Sequence, residues 1–209
     1  MFAPRTGPPL GVLALALLLL SAVAVLRRPA GGEEALSIGL LGLGWGLLLF
    51  LAVFFRDPER RPGEDIVSPA DGRVSLIRSE GDRIRIAVFM NVSDVHVNRF
   101  PLDARVEAVA DAGAGHVPAY RSAAQGNVQR AYRLSTRLGE VELVQVTGVL
   151  ARRLVSFVRA GESYRKGDRL GMIVLGSRVD LLLPAGKVVP SVAVGDRVHA
   201  GLTPIARER

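Results

Sequence analysis

The stretch "GMIVLGSRVDLLLP", residues 171–184, places a glycine and a serine inside an otherwise apolar run. Apolar residues on both sides of Gly176 and Ser177 predict two buried strand segments joined by a bend. A serine hydrolase usually carries its nucleophile in Gly-x-Ser-x-Gly, between a strand and a helix. Here a strand-like run follows the serine, which argues against a hydrolase and leaves the purpose of the pair to be explained.

Alternation of apolar and polar residues extends the strand pattern over residues 66–209 and predicts a mainly β domain of roughly eight to ten short strands. The segment 150–161, "LARRLVSFVRAG", fits either a short amphipathic helix or a strand. The runs that predict strands are 73–77, 83–90, 94–100, 105–110, 140–148 and 177–184.

A weak internal repeat refines the fold. "YRKGDRLGMI" (164–173) and "VAVGDRVHAGLTPI" (192–205) both carry Gly-Asp-Arg followed by a later glycine. Together with "VSPADGRV" (67–74), they are similar to the barrel-sandwich hybrid of biotinyl and lipoyl domains, in which Gly-Asp turns link short strands. We therefore expect a barrel-sandwich-hybrid-like domain, a likeness that carries no chemistry by itself.

The N-terminal quarter predicts a membrane hairpin over residues 1–55, because uncharged stretches occupy 9–26 and 35–55. Each is about long enough for a bilayer core of roughly 30 Å. Gly42 and Gly46 could let the two helices approach closely. The charged, proline-rich residues 56–65 form a linker. Flanking arginines favour the cytoplasm for both ends of the hairpin; insertion into one leaflet stays open.

Composition limits the function classes. The 209 residues include no cysteine, which excludes disulfides, thiolate metal sites and a cysteine nucleophile. The net charge of +7 suits nucleic acid or an anionic membrane. Aromatic residues make up only 5% and do not alternate with basic ones, which disfavours nucleic acid.

One histidine stands out. In "SDVHVNRFP", Asp94, His96 and Asn98 alternate with valines, so a strand would place the three polar groups on one face. That face could be a site or a solvent-facing surface. A zinc site is disfavoured, because zinc takes three or four ligands and no second histidine is near in the sequence.

Three other residues fit simple structural interpretations. Asp71 precedes a glycine in "SPADG", a pattern typical of a hairpin turn. His199, in "GDRVHAG", fits a solvated turn, and His116 lies in a predicted loop.

The Gly-Ser pair allows an unusual reaction. A hydroxyl can attack the carbonyl carbon of the preceding residue where the backbone is bent, and glycine bends most freely. The resulting ester can be eliminated, leaving a pyruvoyl group at a new N-terminus. Such a carbonyl can form a Schiff base with a substrate amine and accept the electrons released when CO₂ departs. A base is needed, and His96 is the histidine best placed on a predicted strand face.

Four motifs in order identify a family. "SPADGRV", "DVHVNRFP", "VTGVLARRLV" and "GSRVDLLLP" resemble the phosphatidylserine decarboxylase proenzymes of the short bacterial and archaeal type, from about residue 55 to the C-terminus. The resemblance implies self-cleavage between Gly176 and Ser177 into a β chain, 1–176, and an α chain, 177–209, that begins with a pyruvoyl group. It also implies that Asp71, with a histidine, activates the serine for cleavage.

The implied activity is decarboxylation of phosphatidylserine to phosphatidylethanolamine and CO₂, a step of phospholipid biosynthesis that needs no metal and no pyridoxal phosphate. The implied partners are phosphatidylserine in an anionic membrane and the two chains of the cleaved proenzyme, with a homo-oligomer left open and no nucleic acid. The implied location is the cell (inner) membrane, with the catalytic domain on the cytoplasmic face.

The chain departs from the long form of the family at two positions. Arg178 follows the serine where the long form has threonine, and Arg99 stands where it has a second histidine. Either arginine could bind the substrate, and His96 could then serve both self-cleavage and decarboxylation. Two alternatives remain: a membrane-anchored, non-catalytic lipoyl-like adaptor, and the same chemistry on another serine phospholipid, archaetidylserine.

Overall fold

The computed structural model describes residues 1–4, 6–27, 32–115, 117, 126–148, 153–174 and 177–209. These form two compact units, Met1–Pro58 and Glu59–Arg209.

The first unit is a helical hairpin. Helix α1 spans Gly7–Arg27 and helix α2 spans Gly32–Phe54. Both are long and apolar enough to cross a membrane, and almost none of their surface is buried within the protein. A core helix of a soluble protein would be mostly covered, so this exposure fits a lipid environment.

Contacts within the hairpin differ in one detail from the sequence expectation. Among the described residues, no atom beyond the neighbouring backbone of α2 lies within 4 Å of where a Cβ would stand on Gly42 or Gly46. Gly44 is the packing glycine instead, because a Cβ there would lie 2.6 Å from Leu17 Cδ2. The indole nitrogen of Trp45 donates a hydrogen bond of 3.3 Å to Ser21 Oγ. That bond gives the mid-helix tryptophan a polar partner, as a buried or lipid-facing indole N–H needs.

Both outer ends of the hairpin meet. Ala3 N donates to Phe55 O and Asp57 N donates to Met1 O, each at 2.8 Å. These bonds confirm the predicted antiparallel hairpin.

The second unit is mainly β, as predicted, and its described residues form fourteen strands rather than the eight to ten expected. Several are two or three residues long and too short to show an alternating pattern. The strands are β1 (Ile66–Val67), β2 (Gly72–Glu80), β3 (Arg83–Met90), β4 (Val97–Arg99), β5 (Ala104–Ala112), β6 (Gln129–Thr136), β7 (Gly139–Thr147), β8 (Leu154–Ser156), β9 (Ser163–Tyr164), β10 (Arg169–Ile173), β11 (Ser177–Pro184), β12 (Val188–Pro190), β13 (Arg197–Val198) and β14 (Pro204–Glu208).

Antiparallel pairing arranges these strands in three sheets. The largest has the order β13-β2-β3-β11-β7-β6-β5-β9, and the smaller ones are β1-β14-β12 and β4-β10-β8. This mainly antiparallel architecture, one eight-stranded sheet with two three-stranded sheets, is consistent with the barrel-sandwich-hybrid expectation. In the ambiguous segment 150–161, residues 150–152 lie outside the described part and the strand interpretation holds for Leu154–Ser156.

Strand β11 lies at the centre of the largest sheet and is buried along nearly its whole length. It pairs with β3 on one side and β7 on the other, with Ser177 opposite both Met90 and Thr147. Because side chains alternate, Ser177 shares a face with the core residues Val179 and Leu181, and Arg178 points to the other face.

Candidate active site

Ser177 begins the buried strand β11 and is itself inaccessible to solvent. Its Oγ has no hydrogen-bond partner among the described residues. A buried hydroxyl without a partner is unfavourable and calls for an explanation. Pairing with β3 and β7 fixes the backbone of Ser177. Its hydroxyl is not used in a structural hydrogen bond among the described residues, so it is available for a reaction.

Asp71 is buried rather than lying in an exposed turn. Arg60 donates to both of its carboxylate oxygens, at 2.5 and 2.8 Å, and Ala200 N donates to Oδ1 at 2.8 Å. Burial by itself raises the pKa of Asp71, but the hydrogen bonds and charge of Arg60, with smaller contributions from Ala200 and His199, bring the pKa below its ordinary value. Asp71 is therefore ionised at neutral pH.

The structure brings two unpredicted residues to Asp71. His199 Nδ1 lies 3.5 Å from Asp71 Oδ2, and the side chain of Arg60 is only 8% exposed. The sequence placed His199 in a solvated turn and Arg60 in a linker. The repeat at 192–205 contains His199, but it did not reveal this contact.

His96 is held in a defined orientation. Its Nδ1 lies 2.9 Å from the carbonyl oxygen of Asp94. A carbonyl can only accept a hydrogen bond, so Nδ1 carries the proton in the neutral ring and Nε2 carries the lone pair. Asp94 is fixed in turn by Asn91 N and Arg197 Nη2, each at 2.8 Å.

The segment that carries His96 is not a solvent-facing strand. Asp94, His96 and Asn98 are buried, and so are Val95 and Val97. Both faces are covered because the segment lies inside the domain, so the solvent-facing alternative is wrong.

Strand register places these groups near one end of the adjacent strands β2, β3 and β11 of the large sheet. A Cβ on Gly72 would lie 3.3 Å from Met90 Cα, and Met90 is opposite Ser177. Two strand spacings put Gly72 roughly 10 Å from Ser177. The amide nitrogen of Asn98 lies 3.6 Å from Met90 Sδ, which brings the strand after His96 to the same place.

The two arginines proposed as substrate ligands occupy different environments. Arg99 is buried and donates from Nη1 to the carbonyl oxygen of Gly167 at 2.9 Å. Arg178 donates from Nε to Asp180 Oδ1 at 2.7 Å, on the face of β11 opposite Ser177. Substrate binding by either residue stays a prediction, and the position of Arg178 favours a structural role.

Two other residues named from the sequence, Gly176 and His116, lie outside the described residues. Within the part of the chain that the structure describes, no group of three or more His, Asp or Glu side chains could hold a metal ion.

Comparison with known proteins identifies the family. The family model described as phosphatidylserine decarboxylase matches residues 47–206, which is most of the chain. The chain belongs to the phosphatidylserine decarboxylase family. Members are decarboxylases, so the non-catalytic adaptor is not favoured.

Relatives within the phosphatidylserine decarboxylase family cover most of the chain. A protein of Streptomyces coelicolor named phosphatidylserine decarboxylase proenzyme is 41% identical over 191 residues, 90% of this chain and 85% of that protein. A protein of the same name from Aromatoleum aromaticum is 44% identical over 184 residues, 80% of this chain and 85% of that protein. A putative archaetidylserine decarboxylase proenzyme of Halobacterium salinarum is 44% identical over 171 residues, 79% of this chain and 84% of that protein.

Proposed function

We propose that this protein cleaves itself between Gly176 and Ser177 and then decarboxylates phosphatidylserine to phosphatidylethanolamine and CO₂. Membership of the family supports the decarboxylation. The observation that carries the self-cleavage is the buried Ser177 Oγ, which has no hydrogen-bond partner among the described residues.

Self-cleavage begins by exchanging the peptide bond between residues 176 and 177 for an ester bond. Ser177 Oγ attacks the carbonyl carbon of residue 176, an ester bond forms, the peptide C–N bond breaks, and the hydroxyl proton is transferred to the freed amine. Removal of the Cα proton of residue 177 then expels the carboxylate of residue 176. The dehydroalanine that remains takes up water and releases ammonia, giving a pyruvoyl group.

Three acidic and basic groups support this chemistry. Asp71 is an ionised carboxylate, and the imidazole of His199 lies 3.5 Å from it. A histidine oriented by a carboxylate is the usual arrangement for activating a hydroxyl. His96 has its own orienting group in the carbonyl of Asp94. The two histidines could therefore divide the work, with His199 and Asp71 assisting self-cleavage and His96 assisting decarboxylation.

The surroundings of residue 177 fit the pyruvoyl group. Ser177 is inaccessible to solvent and is held between two strands, so a group at this position would be shielded from water and fixed in place. When present, that group supplies an electron-accepting carbonyl for decarboxylation. His96 would hold or move a proton at Nε2.

The lipid substrate suits the charge and the hairpin. We place the protein in the cell membrane through α1 and α2, with the catalytic unit on the cytoplasmic face. A net charge of +7 favours an anionic lipid surface. Archaetidylserine is a second candidate substrate, because a relative at 44% identity is named for it. The two lipids share a head group, and either fits the same chemistry.

Intact mass under denaturing conditions tests self-cleavage. The wild type should give two fragments split at 176/177, the smaller without a free amino terminus. Ser177→Ala should remain a single chain. A wild-type protein that stays full length and inactive would overturn the proposal. Carbon dioxide release from carboxyl-labelled phosphatidylserine and archaetidylserine in matched vesicles then identifies the lipid.

A further inference from the structure

The predicted linker is docked on the β unit. Its residues 59–63, here called the strap, contact the turns at 167 and 200–202. Gly63 N donates to Gly201 O at 2.9 Å, and a Cβ on Gly63 would lie only 2.0 Å from Leu202 O. Pro62 packs against Gly167, where an added Cβ would lie 2.6 Å from Pro62 Cγ. Such close approaches fix the strap in one position.

The strap carries Arg60 to Asp71. The two side chains are 8% and 7% exposed, and two hydrogen bonds join them. Arg60 Nη1 also donates to Ala200 O at 2.8 Å, and Ala200 N donates to Asp71 Oδ1 at the same distance. Arg60 and Ala200 thus hold the carboxylate from two sides and fix its orientation.

From this geometry we infer that Arg60 is a positioning residue for self-cleavage, and that docking of the strap is required for Asp71 to act. The inference rests on the proposed function, in which Asp71 assists the attack of Ser177. Because the strap directly follows the hairpin unit in the chain, self-cleavage is coupled to correct placement of the segment that leads to the membrane anchor.

The need to keep the buried Asp71 ionised explains why Arg60 is required. Asp71 is buried, and a buried carboxylate stays ionised only when charges and hydrogen bonds offset the loss of water. Arg60 is the main group that does so, with His199 and the backbone of Ala200 as smaller contributors. Arg99 lies on the other side of this turn, 3.1 Å from where a Cβ on Gly201 would stand. Without Arg60 the burial remains, so the pKa of Asp71 rises.

The test compares Arg60→Gln with Arg61→Gln. Both changes remove one positive charge from the strap, but Arg61 is exposed. Full-length proteins are made by cell-free synthesis in nanodiscs, and the appearance of two fragments is followed by denaturing electrophoresis over a pH series. Arg61→Gln should match the wild type. Arg60→Gln should cleave roughly 10²-fold more slowly, the lower end of a general acid–base contribution.

The pH series separates positioning from folding. The rate of Arg60→Gln should recover as the pH rises, because a higher pH ionises the displaced carboxyl; a damaged fold would not be restored in this way. The rate of Arg60→Gln is divided by the wild-type rate at each pH, so that any titration of His199, which contacts Asp71 in both proteins, cancels. Arg60→Lys keeps the charge without the two-point contact, so it should show a smaller loss and a correspondingly smaller recovery with pH.

The outcomes distinguish this inference from the proposed function. The positioning role of Arg60 is overturned if Arg60→Gln cleaves at the wild-type rate at every pH. It is also overturned if the cleavage rate of Arg60→Gln is lowered and a higher pH does not restore it. If Arg60→Gln fails to fold, Arg60→Lys provides the same comparison, and a wild-type profile for it is equally decisive. Absence of cleavage in the wild type would instead overturn self-cleavage itself.

Discussion

The side-chain amide of Gln145 donates a hydrogen bond of 2.7 Å to Asn98 Oδ1, and both residues are fully buried. The bond joins β7 of the large sheet to β4, the strand that follows His96. Tyr132 OH completes the chain by donating to Gln145 Oε1 at 2.9 Å. Gln145 faces Val179, two residues from Ser177, so this polar chain fixes the small sheet beside the start of β11.

Replacing Gln145 should therefore destabilise the β unit. Gln145→Leu leaves the Asn98 carbonyl and the Tyr132 hydroxyl buried without their partner, and each such group costs roughly 1–3 kcal/mol. Tyr132→Phe, which removes only the terminal hydroxyl, should cost less. Urea unfolding of the full-length protein in detergent gives the two free energies of unfolding. Equal stability of Gln145→Leu and wild type would contradict this role.

His96→Gln should separate the two reactions. If Nε2 of His96 handles the proton of decarboxylation, lipid turnover should fall by about 10²–10⁴. Cleavage into two chains should continue, since Asp71 contacts His199 and not His96 in the described structure. Fragment analysis and CO₂ release on one preparation measure both. Loss of cleavage would contradict this division and show that His96 assists self-cleavage, because turnover is then lost for want of the pyruvoyl group.

Asp180 joins two arginines on the sheet face opposite Ser177. Arg178 Nε and Arg85 Nη1 donate to its two oxygens at 2.7 and 2.8 Å, and Asp180 is 1% exposed. Asp180→Asn should lower stability by roughly 3–5 kcal/mol, because removing one partner of a buried ion pair leaves uncompensated charge.

Kinetics of Arg178→Gln then test the predicted substrate contact. If Arg178 only anchors β11, the variant lowers the unfolding temperature of the protein and leaves KM for phosphatidylserine unchanged. A raised KM at wild-type stability would instead support the substrate-binding prediction from the sequence. Arg85→Gln, which removes the other arginine on Asp180, is the matched control.

The sequence predicted local structure better than it predicted the site. The predicted bounds of β3 and β11 match the structure, because a strand with one buried face shows alternation and a strand buried on both faces shows a short apolar run. Alternation gave no signal for the contact of Arg60 and His199 with Asp71. His199 is 128 residues from Asp71 in the sequence, and close packing of the strap against the 200–202 turn brings Arg60 and His199 to the same carboxylate.

Local sequence patterns also gave wrong predictions at positions where tertiary contacts decide the environment of a residue. Asp71 has the sequence of an exposed Asp-Gly turn, but the strap covers it and Arg60 compensates its charge. In the hairpin, the four-residue spacing of Gly42 and Gly46 was the wrong guide, because the rotation of α2 turns Gly44 towards Leu17. Spacing defines a face of a helix but not which face meets the partner.

Acid should weaken the outer ion pairs of the sheet before the core. Hydrogen bonds from Arg85, opposed in part by burial and aided by Arg78, lower the pKa of Glu80 from 4.5 to about 2. Because the folded-state pKa is the lower one, Glu80 stabilises the protein above the unfolded pKa, and this contribution is lost as the pH falls from about 4.5 to about 2. Glu80→Gln should unfold more easily at neutral pH and show a flatter decline over that interval. Urea unfolding across the acid range measures both, with the exposed Glu64→Gln as control, and parallel declines for Glu80→Gln and wild type would refute the assignment.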